Sequence, residues 1–148
     1  MLVYNKAKEM LLNGQLNLLN DTIKVMLVDS SYTPNPDDDY VGTSGAATAE
    51  VSGTGYVGGH GGAGRKVLTN KVVVEDDTND RAYFDADDVT WTSIDVGSIQ
   101  AAILIKEGAV DDSTSLLIAY IDQGGFPVTT NGGDLTIQWD AGGILHLS

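Results

Sequence analysis

"TIKVMLVDSSYTPNPDDDYV", residues 22–41, begins as a strand and then empties into hydroxyls, prolines and aspartates. Ile23, Val25 and Leu27 alternate with Lys24 and Met26, the period-two pattern of a β-strand. Beyond Val28 that period is lost. Pro34 and Pro36 stiffen an extended path, and "GTSGAATAE" (42–50) continues it in small residues able to lie flat against a surface. A catalytic loop, a metal loop and a surface arm that meets a partner are the three uses for such an excursion.

Working outward, strands dominate. "RKVLTNKVVVE" (65–75) ends in three consecutive valines, as a strand with both faces partly covered would. "VTWTSI" (89–94) and "LTIQWD" (135–140) alternate. "AAILIK" (101–106) and "LLIAYI" (116–121) are apolar through the middle, and "ILHLS" closes the sequence. "DDTND", "TNGGD" and "DAGG" supply turns between them, and fourteen valines and thirteen threonines suit strands. One short helix is expected near the start, within a helical segment at 1–20. Val3, Ala7, Met10 and Leu11 share a stripe at helical spacing, Asn5 is a possible cap and Gly14 a stop. The expectation is a single all-β domain over 1–148, an antiparallel β-sandwich or barrel-like (jelly-roll-type) fold. It carries the short N-terminal helix, long loops, and a loop-rich arm region at 29–64.

Composition narrows the function. Eight Lys+Arg stand against 21 Asp+Glu, a formal net charge of -13, which disfavours nucleic acid as a partner. The excess is uneven. Residues 1–30 hold three basic and three acidic groups, and residues 31–148 hold five and eighteen. There is no cysteine, hence no disulfide, thiolate ligand or thiol nucleophile. No run approaches the roughly 20 apolar residues of a membrane span, and no secretory signal pattern is present, so a soluble protein made inside the cell is expected, with no membrane partner.

The motifs point away from catalysis. Gly53, Gly55 and Gly58 match G-x-G-x-x-G, but dinucleotide binding needs that pattern to lead a strand into a helix, and here another strand comes next. A flexible or extended surface loop, ordered by a neighbouring subunit, suits the glycine-rich stretch better. The clusters Asp37-Asp38-Asp39, Glu75-Asp76-Asp77 with Asp80, Asp85-Asp87-Asp88 and Asp111-Asp112 read as solvated turn carboxylates, without the order of a calcium loop. His60 and His146 make a weak zinc pair, and Ser44 lacks nucleophile-elbow spacing. No catalytic residue, metal ligand or cofactor site is assigned. Trp91, Trp139, Tyr83, Phe84 and Phe126 read as core rather than as a ligand cleft. Tyr32, Tyr40 and Tyr56 lie in or beside the long loops, where aromatics serve as interface anchors. With Tyr4, Met10, Leu11, Pro34 and Pro36 they form the set of interface candidates, and the 29–50 excursion reads as an arm.

"YNKAKEMLLNG", "DTIKVMLVDSSYTP", "EVSGTGY", "TNDRAYFDADDVTWTS", "LLIAYIDQGG" and "LTIQWDAGGI" together resemble a family of small tailed-bacteriophage structural proteins, nearly end to end. The glycine-heavy 58–64 stretch and its histidine depart from the pattern. The resemblance implies a non-enzymatic virion protein, made in the host cytoplasm and similar to capsid decoration or cement proteins. Such proteins sit on the outer capsid surface as homo-oligomers, commonly trimers, and bridge subunits of the major capsid protein to stabilise the shell. A tail, baseplate or head-tail completion protein is the alternative, and a carbohydrate-binding β module with an exposed aromatic platform is a weaker one.

Overall fold

A computed structural model describes residues 1–148. Its centre is a five-stranded antiparallel sheet. The strands are β1 (Leu2–Val3), β2 (Lys24–Val28), β3 (Lys66–Val67), β8 (Ala101–Lys106) and β9 (Leu116–Ile121). They lie in the order β1-β9-β8-β2-β3. The three long strands are apolar at nearly every position, which is stable only if both faces are covered. They are. Val25, Leu27, Ala102, Leu104 and Ile118 enter one core cluster, whereas Met26, Val28, Ala101, Ile103, Ile105 and Leu117 enter a second one on the opposite face. A register shift after Leu104 leaves one extra residue on β9, so Ile118 and its neighbour Ala119 both join the first cluster.

Different parts of the chain cover the two faces. Over the first lie three small sheets. One is formed by β4 (Val72–Asp76), β5 (Arg81–Asp85) and β12 (Leu145–Leu147), with β5 in the middle. The others are the pairs β6 (Val89–Trp91) with β11 (Leu135–Ile137), and β7 (Ser98–Ile99) with β10 (Val128–Thr129). They contribute Phe84, Val89, Trp91, Ile99, Ile137 and Leu145 to the first cluster. Over the second face runs the 29–50 excursion, which contributes Tyr32, Val41, Ala46 and Ala49.

That arrangement corrects the expected fold class. The chain is a mixed α/β fold, with helices α1 (Asn5–Leu12) and α2 (Ala46–Ala49) and four separate open sheets. No sheet closes into a barrel, and the molecule is not a clean β-sandwich or jelly roll. The physical reason lies in the second face. It is closed by an irregular segment and a single helical turn, in which Ala46 and Ala49, spaced i,i+3, present one small face to the sheet.

The expected stripe holds in part: Ala7 is buried and Met10 and Leu11 pack against the first cluster from α1, but Val3 reaches that cluster from strand β1, outside the helix. The residue before the helix is Tyr4, and Asn5 is its first helical residue, not its cap. Gly14 takes φ +76° just after the helix, a conformation that favours glycine. "RKVLTNKVVVE" is two strands, broken where Leu68 turns inward and Asn70 adopts φ 50°. Its valines are not covered on both faces. β4 is the edge of its sheet, and Val72 and Val73 are 45% and 52% exposed.

A sheet covered on both sides makes a mutational prediction. Ile103→Ala and Leu104→Ala, adjacent residues facing opposite clusters, should each destabilise the protein by about 2–5 kcal/mol in urea unfolding. Val73→Thr should change it by about 0.5 kcal/mol or less. A near-neutral Ile103→Ala would mean that the excursion does not cover that face in solution.

Candidate functional site

The two long irregular segments meet at one side chain. Arg65 comes just after the glycine-rich stretch, and its guanidinium is fully buried. Nε and Nη2 donate to the two carboxylate oxygens of Glu50 (2.9 and 2.6 Å), and Nη1 and Nη2 donate to those of Asp112 (2.8 and 2.9 Å). Nη1 also reaches Glu107 Oε1 at 3.0 Å. Planar guanidinium and planar carboxylate match in such paired bonds, which is why Arg rather than Lys suits the position. Lys24 bonds the other oxygen of Glu107.

The carboxylates hold more than Arg65. Glu50 accepts the Gly59 N–H (2.9 Å) and the Tyr56 hydroxyl (2.9 Å), Glu107 accepts the Gly61 N–H (3.0 Å), and Asp112 accepts the Ser115 hydroxyl (2.7 Å). His60 Nε2 donates to the Gly108 carbonyl (2.6 Å), and the buried Trp91 indole donates to the Gly64 carbonyl (2.7 Å). A Cβ at Gly64 would stand 2.5 Å from the Tyr56 ring, so glycine is required there. The glycine-rich stretch is therefore ordered by its own chain, where a neighbouring subunit was expected to order it.

The electrostatics arise from these contacts. Burial alone would raise the Glu107 and Asp112 carboxyls and lower the Arg65 guanidinium. Hydrogen bonds and opposite charges outweigh it, so both carboxyls titrate below their usual range and Arg65 above its own. Burial first, and then the Glu50 charge, push the Tyr56 hydroxyl up. This cluster cannot serve as a nucleophile or a general base at neutral pH, because its carboxylates are committed to Arg65 and to backbone donors. It is a structural clasp.

The interface candidates divide into enclosed and exposed. Tyr4, Tyr32 and Tyr56 are buried in their own chain. The Tyr32 hydroxyl donates to Asp38 Oδ2 (2.8 Å) and lies 2.9 Å from the Tyr4 hydroxyl, and the Tyr32 and Tyr120 rings meet edge to face at 6.0 Å. Met10, Leu11, Pro34 and Tyr40 are half-buried and Pro36 is exposed. Pro36 also anchors α1, its carbonyl accepting the Asn5 N–H (2.9 Å). Beside Met10 and Leu11, Leu12 is 89% exposed and Leu19 46% exposed, and Leu18 is half-buried. Sequence reasoning missed Leu12 and Leu19, although the near-neutral charge of residues 1–30 pointed to this region.

The remaining motif residues play local parts. Asp87 Oδ2 accepts from Thr69 and Asn70, Asp88 Oδ1 from the Trp139 N–H, and Asp111 Oδ1 from the Ser113 N–H. His146 is exposed on β12, far from His60 in sequence, and no three His, Asp or Glu side chains come together as a metal-ligating group. No helix is long and apolar enough to cross a membrane. The chain matches no family model, and neither curated proteins nor solved structures give a significant match to it.

The clasp has two measurable consequences. Arg65→Met should cost about 3–5 kcal/mol, because it strands buried carboxylates without a counter-charge. In the intact protein the depressed Glu107 and Asp112 contribute stability that is fully present above their ordinary values of 4.5 and 3.8. That stability is lost as pH falls through their lower folded-state values. Urea midpoints should fall below about pH 4, and the Arg65→Met variant should lose less across the same range.

Proposed function

We propose that this protein is a non-enzymatic virion component of a tailed bacteriophage, a capsid decoration protein that self-associates and bridges major capsid subunits. The observation that carries the reading is the uneven division of charge along the chain. Carboxylates dominate residues 31–148, while the charge-balanced residues 1–30 expose Leu12 and Leu19 beside the half-buried Met10, Leu11 and Leu18. Exposed leucines in the one segment free of excess charge suit a contact between like-charged copies. The phrase-by-phrase resemblance to phage structural proteins supports the virion setting. So does the use of the long segments for covering and clasping the fold rather than for chemistry. On this reading the acidic remainder faces a basic rim of the shell, and closed symmetry, such as a trimer, limits self-association. A tail, baseplate or head-tail completion role is the alternative within the same class.

Cryo-electron microscopy of the native particle tests this. Density for the chain on the outer shell, spanning several capsid subunits, is the expected result, and a Leu12→Asp/Leu19→Asp variant should occupy those positions several-fold less. Density confined to neck or tail would select the alternative. Absence of the chain from purified particles would overturn both.

A further inference from the structure

A further concavity, none of whose lining residues belongs to the clasp, has Met1 at its edge. It is an open groove of about 350 Å³ between β12-β5, the end of β11 and the turn after β9, and nothing in the proposed structural role uses it. Its size falls at the lower end of the range for small-molecule sites. We propose that it is a saccharide-binding groove, taking a neutral mono- or disaccharide.

Its lining suits a sugar ring. Ile137 and Ile144 supply an apolar floor, and the half-buried Trp139 flanks it. Trp139 is held at two points: its indole N–H donates to the Asp87 carbonyl (2.9 Å), and its backbone N–H to Asp88 Oδ1 (3.0 Å). A ring fixed in this way loses little entropy when a ligand packs on it, and an indole beside aliphatic side chains suits the C–H face of a pyranose. Polar groups surround that platform. Asp140 uses Oδ1 to accept the Gly142 N–H (2.7 Å), leaving Oδ2 to accept from a hydroxyl. Arg81 spends Nε on Asp76 (3.0 Å), leaving its terminal N–H groups as donors. They lie close to the 142–143 turn, where a Cβ at Gly142 would stand 2.8 Å from Nη2. Exposed Gln138 and His146 add a donor and an acceptor each.

An acceptor carboxylate beside a donor guanidinium is the pairing that adjacent sugar hydroxyls satisfy, because each hydroxyl both donates and accepts. The same pairing argues against other ligands. A phosphate or nucleotide would meet the Asp140 carboxylate and a chain of net charge -13, and the Met1 ammonium at the groove is already drawn to Asp122 (3.5 Å). A wholly apolar ligand would leave Arg81 and Asp140 desolvated and unpaired. Neither objection applies to a neutral polyol ring. Sugar binding here is a property of the isolated chain and does not depend on the virion reading.

Titration of the isotopically labelled protein with maltose, lactose, mannobiose and chitobiose, monitored by amide and indole N–H chemical shifts, tests it. At least one disaccharide should move the Trp139 indole and the Gln138 side-chain amide saturably in the millimolar range. The indole of Trp91, fully buried at the clasp, should stay in place as the internal control. Trp139→Ala should weaken that binding about tenfold or more. Gln138→Ala, at an exposed position that the fold does not need, should weaken it several-fold with the remaining spectrum unchanged. No saturable shift with any of the four sugars would overturn the proposal, as would shifts that persist unaltered in both variants. Neither result would bear on the chain's place in a particle.

Discussion

Arg65 is the point on which the two irregular halves of the molecule depend. Burying a guanidinium without partners costs several kcal/mol or more, so its presence at zero exposure demands compensation from every side. The compensation comes from segments with no sequence proximity: Glu50 ends the excursion, and Glu107 and Asp112 lie within the β8–β9 connection. Three carboxylates against Arg65 and Lys24 leave the cluster one charge negative, which the N–H groups of Gly59 and Gly61 help to accommodate. A glycine-rich strand of chain has much conformational freedom to lose on folding. Here its backbone amides are drawn to charged acceptors that Arg65 has already fixed in place. Loop and clasp order each other.

The central sheet imposes the second constraint. With β2, β8 and β9 apolar on both faces, the chain must supply two covers, and β-structure supplies only one. The excursion forms the other by spanning the sheet. Near its far end, Leu117 N–H donates to the Asp39 carbonyl (3.0 Å) and Val41 N–H to the Ser115 carbonyl (2.9 Å), tying it to β9. On its return, Val51 N–H donates to the Leu27 carbonyl (3.1 Å), tying it to β2 on the other side of β8. Between these anchors the Tyr4, Tyr32 and Asp38 contacts satisfy the buried hydroxyls, as interior polar groups require. Long loops in compact domains are uncommon without a task. For much of residues 29–50, that task is burial of the chain's own core.

These two constraints explain which features were legible from the sequence. Strands β8 and β9, the α1 stripe from Ala7 to Leu11 and the turn at Gly14 were readable because their signals are local periods and backbone preferences, whereas Val3 proved to be a strand residue. The apolar middles of "AAILIK" and "LLIAYI" marked strands, while covered faces were expected of "RKVLTNKVVVE" instead. The cover of the second face went unread, because Tyr32, Val41, Ala46 and Ala49 form no period and sit among prolines and aspartates. Val72 to Val74 misled for the converse reason: three β-branched residues favour a strand wherever it lies, including an exposed edge. The clasp was hidden because each acid sits in an ordinary turn, and only the folded chain brings Glu50, Glu107 and Asp112 around Arg65. Tyr4, Tyr32 and Tyr56 were read as interface candidates, whereas each is buried within its own fold.

The distribution of charge then has a consequence for association. Two copies at net charge -13 repel at any face that carries the excess, and within a Debye length of about 8 Å that repulsion is not screened away at physiological salt. Self-contact is least opposed through residues 1–30, where charges balance and where Leu12 and Leu19 are exposed. A basic partner is drawn instead to the carboxylate-rich remainder. On the proposed reading, the surface that joins copies and the surface that meets the shell are different by electrostatic necessity. One small domain can then make both contacts at once.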